Sequence, residues 1–131
     1  MNIYLDIDGV ILANDKCRAN YSAEFIEYMV KNYPVYWLTT HCKDGNPIMA
    51  QRILEPFFDQ RLQKIIEQIR PTSWKENKTE AIDFSKPFLW FDDDLWPAEK
   101  EDLIKHNALD NLVRIDLSKD EDQLKGWLGF N

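Results

Sequence analysis

The sequence begins with a short apolar run that ends in two acidic residues, Tyr4-Leu5-Asp6-Ile7-Asp8-Gly9-Val10. The apolar residues predict a strand that opens the fold, and Gly9 allows the backbone to turn away at its carboxyl end. Asp6 and Asp8 would repel each other at such a crevice and lose hydration, so a cation or a proton is expected nearby. The simpler alternative is a strand followed by a polar turn, because Asp-Gly pairs are common in turns.

The composition is that of a folded, acidic domain. The 131 residues are 44% hydrophobic and 13% aromatic, which predicts a single domain, residues 1–131, with its own core. Lys and Arg total 16 against 23 Asp and Glu, a net charge of −7 that argues against a broad nucleic-acid surface. The same charge fits a protein that holds a divalent metal ion, although an acidic surface alone would also produce it.

The cysteines and the distribution of apolar residues bear on the cellular compartment. Cys17 and Cys42 are the only cysteines, no charged-then-apolar leader precedes the first strand, and no apolar run reaches membrane-spanning length. We therefore expect reduced thiols, a cytoplasmic location and no membrane partner.

Buried strands that alternate with helices predict an α/β fold. Two nearly continuous apolar runs, residues 35–38 and 88–91, are typical of strands covered by helices on both faces, and residues 112–116 predict a last strand. Helices are predicted over residues 22–32, with Ser22 as N-cap, and over 46–56, 77–82, 97–106 and 120–128. Residues 57–69 fit a helix, but 65–69 also fit a short strand, and both alternatives stay open. This alternation favours a parallel sheet with right-handed crossovers.

Polar residues recur at the points where the three clearest strands end. Asp6 and Asp8 follow the first strand, Thr39 the second, and Asp92 and Asp93 the third. The carboxyl edge of an open α/β sheet is where ligands bind. Solvated loops make polar residues common after any strand, but two of these three strands end in several acids. Carboxylate oxygens suit Mg²⁺, which takes a few carboxylates and keeps several waters.

The order of these motifs resembles that of the haloacid dehalogenase (HAD)-like hydrolase superfamily. The matching parts are Asp-Ile-Asp-Gly-Val after a strand, a strand-ending Thr, a Lys at a helix start and a strand-ending Asp-Asp pair, and together they span residues 6–93. The resemblance implies a Rossmann-like three-layer sandwich with a mostly parallel central sheet. The segments 11–22 and 41–77 are too short for a substantial cap domain, so an open site is expected, with Trp74 and Trp96 as candidates for its mouth.

The resemblance also implies a Mg²⁺-dependent phosphatase with defined residue roles. Asp6 would be the nucleophile that forms an aspartyl-phosphate, and Asp8 the general acid and then the general base. Relatives that cleave carbon–halogen bonds lack an acid at the position of Asp8, which favours phosphoryl transfer. Mg²⁺ would be held by the Asp6 carboxylate, the Asp8 backbone carbonyl and the Asp92 carboxylate, and Asp93 would orient metal-bound water.

The two remaining roles each have an alternative residue. Thr39 would donate its hydroxyl to a phosphate oxygen, and it is preferred to Thr40 because it directly follows the apolar run. Lys78 would supply positive charge to the same phosphate, and it is preferred to Lys75 because the predicted helix continues from it toward the strand that bears Asp92. The expected partner is a phosphorylated substrate of unspecified identity, with nucleic acid limited to a phosphorylated end. The oligomeric state stays open.

Two other functions on a similar fold are considered. A receiver-like signalling domain also combines acids, Thr and Lys on a parallel sheet, but its acid pair is adjacent and its Lys-Pro follows the last strand. Here the acids are split, and Lys86-Pro87 precedes a strand. A non-catalytic interaction protein is the third hypothesis, since fold does not determine function. The presence of both Asp6 and Asp8 argues against it.

One further motif is rejected as a catalytic site. The segment around His41 and Cys42 is similar to the loop of cysteine-dependent phosphatases, in which an Arg grips the phosphate with two hydrogen bonds. Ile48 stands at the position of that Arg, so the main anion contact would be missing.

Overall fold

The computed structural model of the chain describes residues 1–14 and 17–130 and has an α/β fold. The strands are β1 (Asn2–Leu5), β2 (Val35–Trp37), β3 (Phe88–Asp92) and β4 (Leu112–Arg114). The α-helices are α1 (Ser22–Asn32), α2 (Ile48–Leu54), α3 (Gln60–Ile66) and α4 (Pro97–Lys105). Short 3-10 helices cover Glu55–Phe57, Lys78–Ala81, Leu109–Asn111 and Gln123–Trp127.

The four strands form one sheet in the order β2-β1-β3-β4, and every neighbouring pair is parallel. The register places Leu5 of β1 beside Trp37 of β2 and Phe91 of β3. Because the strands run in the same direction, the residues that follow them emerge at one edge of the sheet. This edge therefore collects the acids and threonines that the sequence places after the strands.

Helices cover both faces of the sheet, as the doubly buried strands require. On one face Phe25 of α1 packs edge-on against Phe91, with ring centroids 5.2 Å apart. Helices α2 and α3 contribute to the same apolar core through Leu54 and Ile66, so the segment between β2 and β3 packs against the sheet layer. On the other face Leu103 of α4 packs in a cluster with Trp90 and Tyr4. Burial of each such side chain stabilises the fold by roughly 1.5–3 kcal/mol.

Both outer edges of the sheet are hydrogen-bonded to other parts of the chain. Beyond β2, the Trp37 N–H donates to the Arg70 carbonyl and the Arg70 N–H donates to the Val35 carbonyl, at 2.8 and 2.9 Å. Beyond β4, the side-chain amide of Gln123 donates to the Arg114 carbonyl at 2.9 Å and accepts from the Asp116 N–H at 2.8 Å. Each edge thus has at least two backbone groups already paired.

The structure decides between the alternatives for residues 57–69 and corrects three helix predictions. Helix α3 occupies residues 60–66 of that segment. The strand-like pairing lies just beyond the segment, where Arg70 forms an isolated parallel bridge with Tyr36 of β2. The helix predicted over residues 77–82 is only a 3-10 turn, Lys78–Ala81. Helix α1 starts at Ser22, which is therefore its first residue and not its cap; the preceding Tyr21 adopts φ 63°. The helix predicted over residues 120–128 is only a 3-10 turn, Gln123–Trp127. Gly126 disfavours a longer helix, and Gln123 is held by its hydrogen bonds to β4.

None of the helices within residues 1–14 and 17–130 is long and apolar enough to cross a membrane.

Candidate functional site

An acid cluster lies at the carboxyl edge of the sheet, where β1 and β3 end side by side. It is formed by Asp6, Asp92 and Asp93, whose carboxylates each offer one oxygen within 4.8 Å of the others. Asp6 is 7% exposed and Asp92 is 1% exposed, whereas Asp93 is partly open to solvent. The parallel pairing of β1 with β3 explains the contact, because Leu5 lies beside Phe91 and the residues that follow them, Asp6 and Asp92, are therefore neighbours.

Lys78 inserts its ammonium group into the acid cluster. Its Nζ lies 2.7 Å from Asp92 Oδ2 and 3.5 Å from Asp6 Oδ2, and its side chain is only 13% exposed. Burial alone would lower the pKa of Lys78, but the charges of Asp6 and Asp92 outweigh it and raise the pKa. Lys78 therefore stays positively charged. Lys75 is exposed and takes no part in this cluster, so of the two candidate lysines only Lys78 reaches the acids.

Hydrogen bonds from neighbouring groups fix the two buried carboxylates. The Ile7 N–H donates to Asp6 Oδ1 at 2.8 Å, which leaves Oδ2 toward Lys78. The indole of Trp90 donates to Asp92 Oδ2 at 3.1 Å, and the Asp94 N–H donates to Asp92 Oδ1 at 3.1 Å. Such charge-assisted bonds hold the oxygens in one orientation before any ligand arrives.

Burial, together with the proximity of the three acids to one another, raises the pKa values of Asp6, Asp92 and Asp93. Burial, reinforced by the charge of Asp6, raises the pKa of Asp92 to about 7 from its usual 3.8. Burial and the neighbouring Asp92 raise the pKa of Asp93 to about 6. Burial also raises the pKa of Asp6, against the opposing charge of Lys78. One ammonium group is therefore too little charge to keep all three carboxylates ionised at neutral pH.

The charge of the cluster fits a divalent cation. When all three carboxylates are deprotonated they carry −3 and Lys78 carries +1, which leaves −2 within a space of a few ångströms. Oxygen ligands of this kind, partly buried and partly open to water, are what hard divalent ions take from proteins. Asp6, Asp92 and Asp93 are therefore the described residues that could hold such an ion.

We expect the metal-free protein to lose stability as pH rises from 5 to 8. The pKa of Asp92 is raised from 3.8 to about 7 in the folded state, so the folded protein holds this proton more tightly than the unfolded chain. The resulting stabilisation is complete below pH 3.8 and is lost as the pH rises to about 7. The loss in free energy of unfolding should be on the order of 2–4 kcal/mol. Urea unfolding in EDTA at a series of pH values measures it.

Two controls accompany this pH series. Asp92→Asn removes the most strongly shifted of the titrating groups and should reduce the slope, and saturating Mg²⁺ should also reduce it if the ion binds the ionised carboxylates. A wild-type stability that is constant or rises over this pH range would contradict the crowding of the acids.

Gly9 allows the acid cluster to close. Its φ is +81°, and a Cβ built on it would lie 2.2 Å from Asp93 Oδ2 and 2.7 Å from Asp93 Cβ. The Asp93 side chain thus packs directly on the backbone of the turn after β1. Only glycine combines this backbone angle with this close approach.

Gly9→Ala should destabilise the protein by at least about 2 kcal/mol, because it adds left-handed backbone strain to a clash with Asp93. Thermal unfolding measures the loss, and a weaker stabilisation by Mg²⁺ would report the displaced Asp93. Gly45 also has a positive φ, of 85°, but nothing within 4 Å, so Gly45→Ala isolates the strain. Gly126 has neither a positive φ nor an atom within 4 Å of the added Cβ, so Gly126→Ala is the control without backbone strain or clash. Equal losses in the Gly9 and Gly45 variants would contradict a role for the Asp93 contact.

The turn after β2 separates the two candidate threonines. Thr39 has no exposed surface, and its Oγ1 accepts from the His41 N–H at 3.3 Å. Thr40 is exposed and lines the cavity in front of the acid cluster. The hydroxyl that a ligand in this cavity would meet is therefore that of Thr40, and Thr39 shapes the turn.

Asp8 does not join the acid cluster within the described chain, although it lines the same cavity. Its side chain is 66% exposed, and its Oδ2 lies 2.7 Å from His41 Nε2. The two acids after β1 are thus in different surroundings: Asp6 is buried among charges, and Asp8 faces solvent beside an imidazole.

A cavity of about 300 Å³ opens over the acid cluster. Trp74 and Trp96 both line it, as expected from the sequence, together with Lys43 and Glu76. Trp74 is nearly buried and carries Lys43 Nζ 4.5 Å above its ring, whereas Trp96 is 64% exposed. The cavity therefore has an acidic floor and an aromatic wall, with no further domain over it among residues 1–14 and 17–130.

Sequence reasoning missed two residues of this site. Glu99 is 4% exposed, and its carboxylate accepts from the Lys78 N–H at 2.8 Å and the Trp96 N–H at 3.0 Å. A Glu three residues after a helix N-cap is a recognisable capping signal, so its bond to Trp96 could have been predicted. The contact of His41 with Asp8 could not, because it joins two loops 33 residues apart.

The remaining acid and thiol have local roles. Asp94 Oδ1 accepts from the Leu95 N–H at 2.8 Å, a contact within the turn that follows β3. Cys42 is 1% exposed, and burial raises the pKa of its thiol, as expected for a structural residue and not for a nucleophile.

Comparison with known proteins gives no significant match to a family model, a curated protein or a solved structure.

Proposed function

We propose that the protein is a Mg²⁺-dependent phosphatase of the HAD-like type that hydrolyses phosphomonoesters through an aspartyl-phosphate on Asp6. The observation that carries the proposal is the meeting of Asp6, Lys78 and Asp92 on the floor of one cavity. The motif order in the sequence supports the same function. A metal ion, a nucleophilic carboxylate and a fixed positive charge are what transfer of a phosphoryl group to a side chain requires.

Mg²⁺ would be held by the Asp6 and Asp92 carboxylates and the Asp8 backbone carbonyl, and Asp93 would orient water bound to the ion. The ion would supply positive charge that reduces the repulsion between the attacking carboxylate and an anionic phosphate. Asp6 is suited to attack because the Ile7 N–H holds Oδ1 in place. Lys78 is suited to bind a phosphate oxygen because its ammonium group stays charged and lies 3.5 Å from Oδ2 of Asp6.

The proposed reaction has two steps, formation and hydrolysis of the aspartyl-phosphate. An oxygen of Asp6 attacks phosphorus, the bond from phosphorus to the ester oxygen breaks, and Asp8 gives its proton to the departing oxygen. Water then attacks the phosphorus of the aspartyl-phosphate and passes a proton to Asp8, and the bond between Asp6 and phosphorus breaks. Inorganic phosphate leaves, and both side chains return to their starting states. The exposure of Asp8 gives it access to the alcohol and to water.

The aromatic wall bears on the substrate. Trp96 offers a largely exposed ring beside the acid cluster, so the group attached to the phosphate would meet an apolar surface there. The net charge of −7 disfavours long polynucleotides but permits a single phosphorylated end.

The test is phosphate release from a panel of phosphomonoesters in Mg²⁺ and in EDTA. The panel covers small metabolites, nucleotides, phosphopeptides and end-phosphorylated oligonucleotides. We expect turnover of at least one class, lost in EDTA. No turnover of any member would refute the proposal, and a stable acyl-phosphate formed from a small phosphodonor without hydrolysis would instead favour the receiver-like alternative.

Paired substitutions distinguish the two threonines. Thr40→Val should lower kcat/KM by about 10- to 100-fold, because it removes one hydrogen bond to a charged phosphate, and it should leave the Tm nearly unchanged. Thr39→Val should lower the free energy of unfolding by about 1–2 kcal/mol, because the His41 N–H loses its buried acceptor. Phosphate-release kinetics and thermal unfolding measure both effects. If activity depends on the Thr39 hydroxyl and not on that of Thr40, the preference drawn from the sequence is the right one.

A further inference from the structure

The contact between His41 and Asp8 is the part of the site that the motif comparison does not account for. His41 Nε2 lies 2.7 Å from Asp8 Oδ2, a short hydrogen bond between the loop after β2 and the turn after β1. The Asp8 side chain is 66% exposed and the His41 side chain 28%. The less exposed imidazole is therefore placed to restrain the more exposed carboxylate.

His41 is itself firmly held. Its N–H donates to the Thr39 hydroxyl, and the Cys42 N–H donates to the Thr39 carbonyl at 3.0 Å, which closes a tight turn at the end of β2. The buried Cys42 anchors this turn, with its Sγ 3.7 Å from the Thr72 carbonyl. The imidazole is thus carried by a hydrogen-bonded turn that follows β2, the strand next to β1.

A proton donor on an exposed side chain needs such a restraint. It must lie within hydrogen-bond reach of the departing oxygen when phosphorus is attacked. A misplacement of about 1 Å can cost on the order of 100-fold in rate. Within residues 1–14 and 17–130, His41 is the side chain that hydrogen-bonds the Asp8 carboxylate.

We infer that His41 is a positioning residue, which aims the Asp8 carboxyl group at the leaving-group oxygen through the Nε2 contact. The inference rests on the proposed phosphatase function. It predicts that loss of His41 harms most those substrates whose leaving group needs a proton.

The kinetic test uses two substrates of similar size, benzyl phosphate and 4-nitrophenyl phosphate. The benzyl alkoxide must be protonated as it leaves, whereas 4-nitrophenolate is stable without a proton. His41→Ala should lower kcat/KM about 30-fold for benzyl phosphate and about threefold for 4-nitrophenyl phosphate. His41→Gln keeps an N–H donor and should recover most of the loss. In an Asp8→Asn background, His41→Ala should add almost nothing.

The control is the other histidine of the chain. His106 stacks on Phe84 at the end of α4, with ring centroids 3.8 Å apart, and has no contact with Asp8. His106→Ala should leave both kcat/KM values unchanged. Equal losses on both substrates in His41→Ala, or losses that add in the double variant, would overturn the positioning role.

A spectroscopic measurement keeps this inference separate from the proposed function. Long-range ¹H–¹⁵N spectra of the two imidazoles in the metal-free protein should show ring ¹⁵N shifts for His41, and not for His106, when Asp8 is replaced by Asn. Unchanged His41 signals would overturn the contact even in an active phosphatase. A clear His41 shift in a protein without phosphatase activity would confirm the contact, while the proposed function and the positioning role would both fail.

Discussion

Asp6→Asn is expected to abolish phosphate release, with a loss in kcat of at least about 1000-fold. An amide is a poor nucleophile toward phosphorus and cannot form the aspartyl-phosphate on which the reaction depends. The Asn oxygen can still accept from the Ile7 N–H, so the backbone of β1 and the turn after it should be undisturbed.

The same variant should be at least as stable as wild type in EDTA. It removes one of three crowded carboxylates, whose mutual repulsion the Lys78 ammonium group offsets only in part. The measurements are phosphate release with the best substrate of the panel and Tm in EDTA. Asp110→Asn is the matched control, because Asp110 is exposed and precedes β4 at the opposite edge of the sheet. Retained turnover in the Asp6 variant would show that Asp6 is not the nucleophile.

Lys78→Met is expected to impair both activity and stability. Its ammonium group is the positive charge within the acid cluster, and methionine leaves Asp6 and Asp92 buried without it. Removing one partner of a buried charge group costs about 3–5 kcal/mol, so we expect a loss near the lower end at pH 8 in EDTA. Loss of a charge aimed at the phosphate should lower kcat by about 100- to 1000-fold.

Lys75→Met is the matched control for this substitution. Lys75 is exposed, lies three residues earlier and touches no carboxylate of the cluster, so the change in stability should stay within about 0.5 kcal/mol. Urea unfolding and phosphate-release kinetics measure the pair. An active, stable Lys78→Met protein, or equal losses in both variants, would contradict the assignment of Lys78.

Strand placement was predictable because it depends on local pattern. The runs around Trp37 and Trp90 are apolar on both faces and end in polar residues, which identifies doubly covered strands. Parallel strands place the acids that follow β1 and β3 at the same edge of the sheet, and the structure brings Asp6, Asp92 and Asp93 together there. The acid cluster therefore depends on the parallel direction of the strands, which their alternation with helices predicts, and on the pairing of β1 with β3, which only the structure shows.

The parts that were not predictable depend on contacts between distant loops. His41 reaches Asp8 only because the turn after β2 folds back on Thr39, and nothing in the local sequence encodes that approach. The choice between Thr39 and Thr40 is likewise a matter of which side chain the turn buries. The C-terminal helix prediction was wrong because a periodic apolar pattern ignores the hydrogen bonds that Gln123 makes to β4.

The pairing at the two sheet edges affects how copies of this protein can associate. An unpaired edge strand is a template on which a second molecule can add a strand, and this is a common start of aggregation. Here the Arg70 backbone is hydrogen-bonded to the outer edge of β2. At the β4 edge the Gln123 side-chain amide makes the donor and acceptor bonds that a neighbouring strand would make. A second molecule would have to break at least two hydrogen bonds at either edge before its own strand could pair. The short, four-stranded sheet is thereby protected from growing into a continuous intermolecular one.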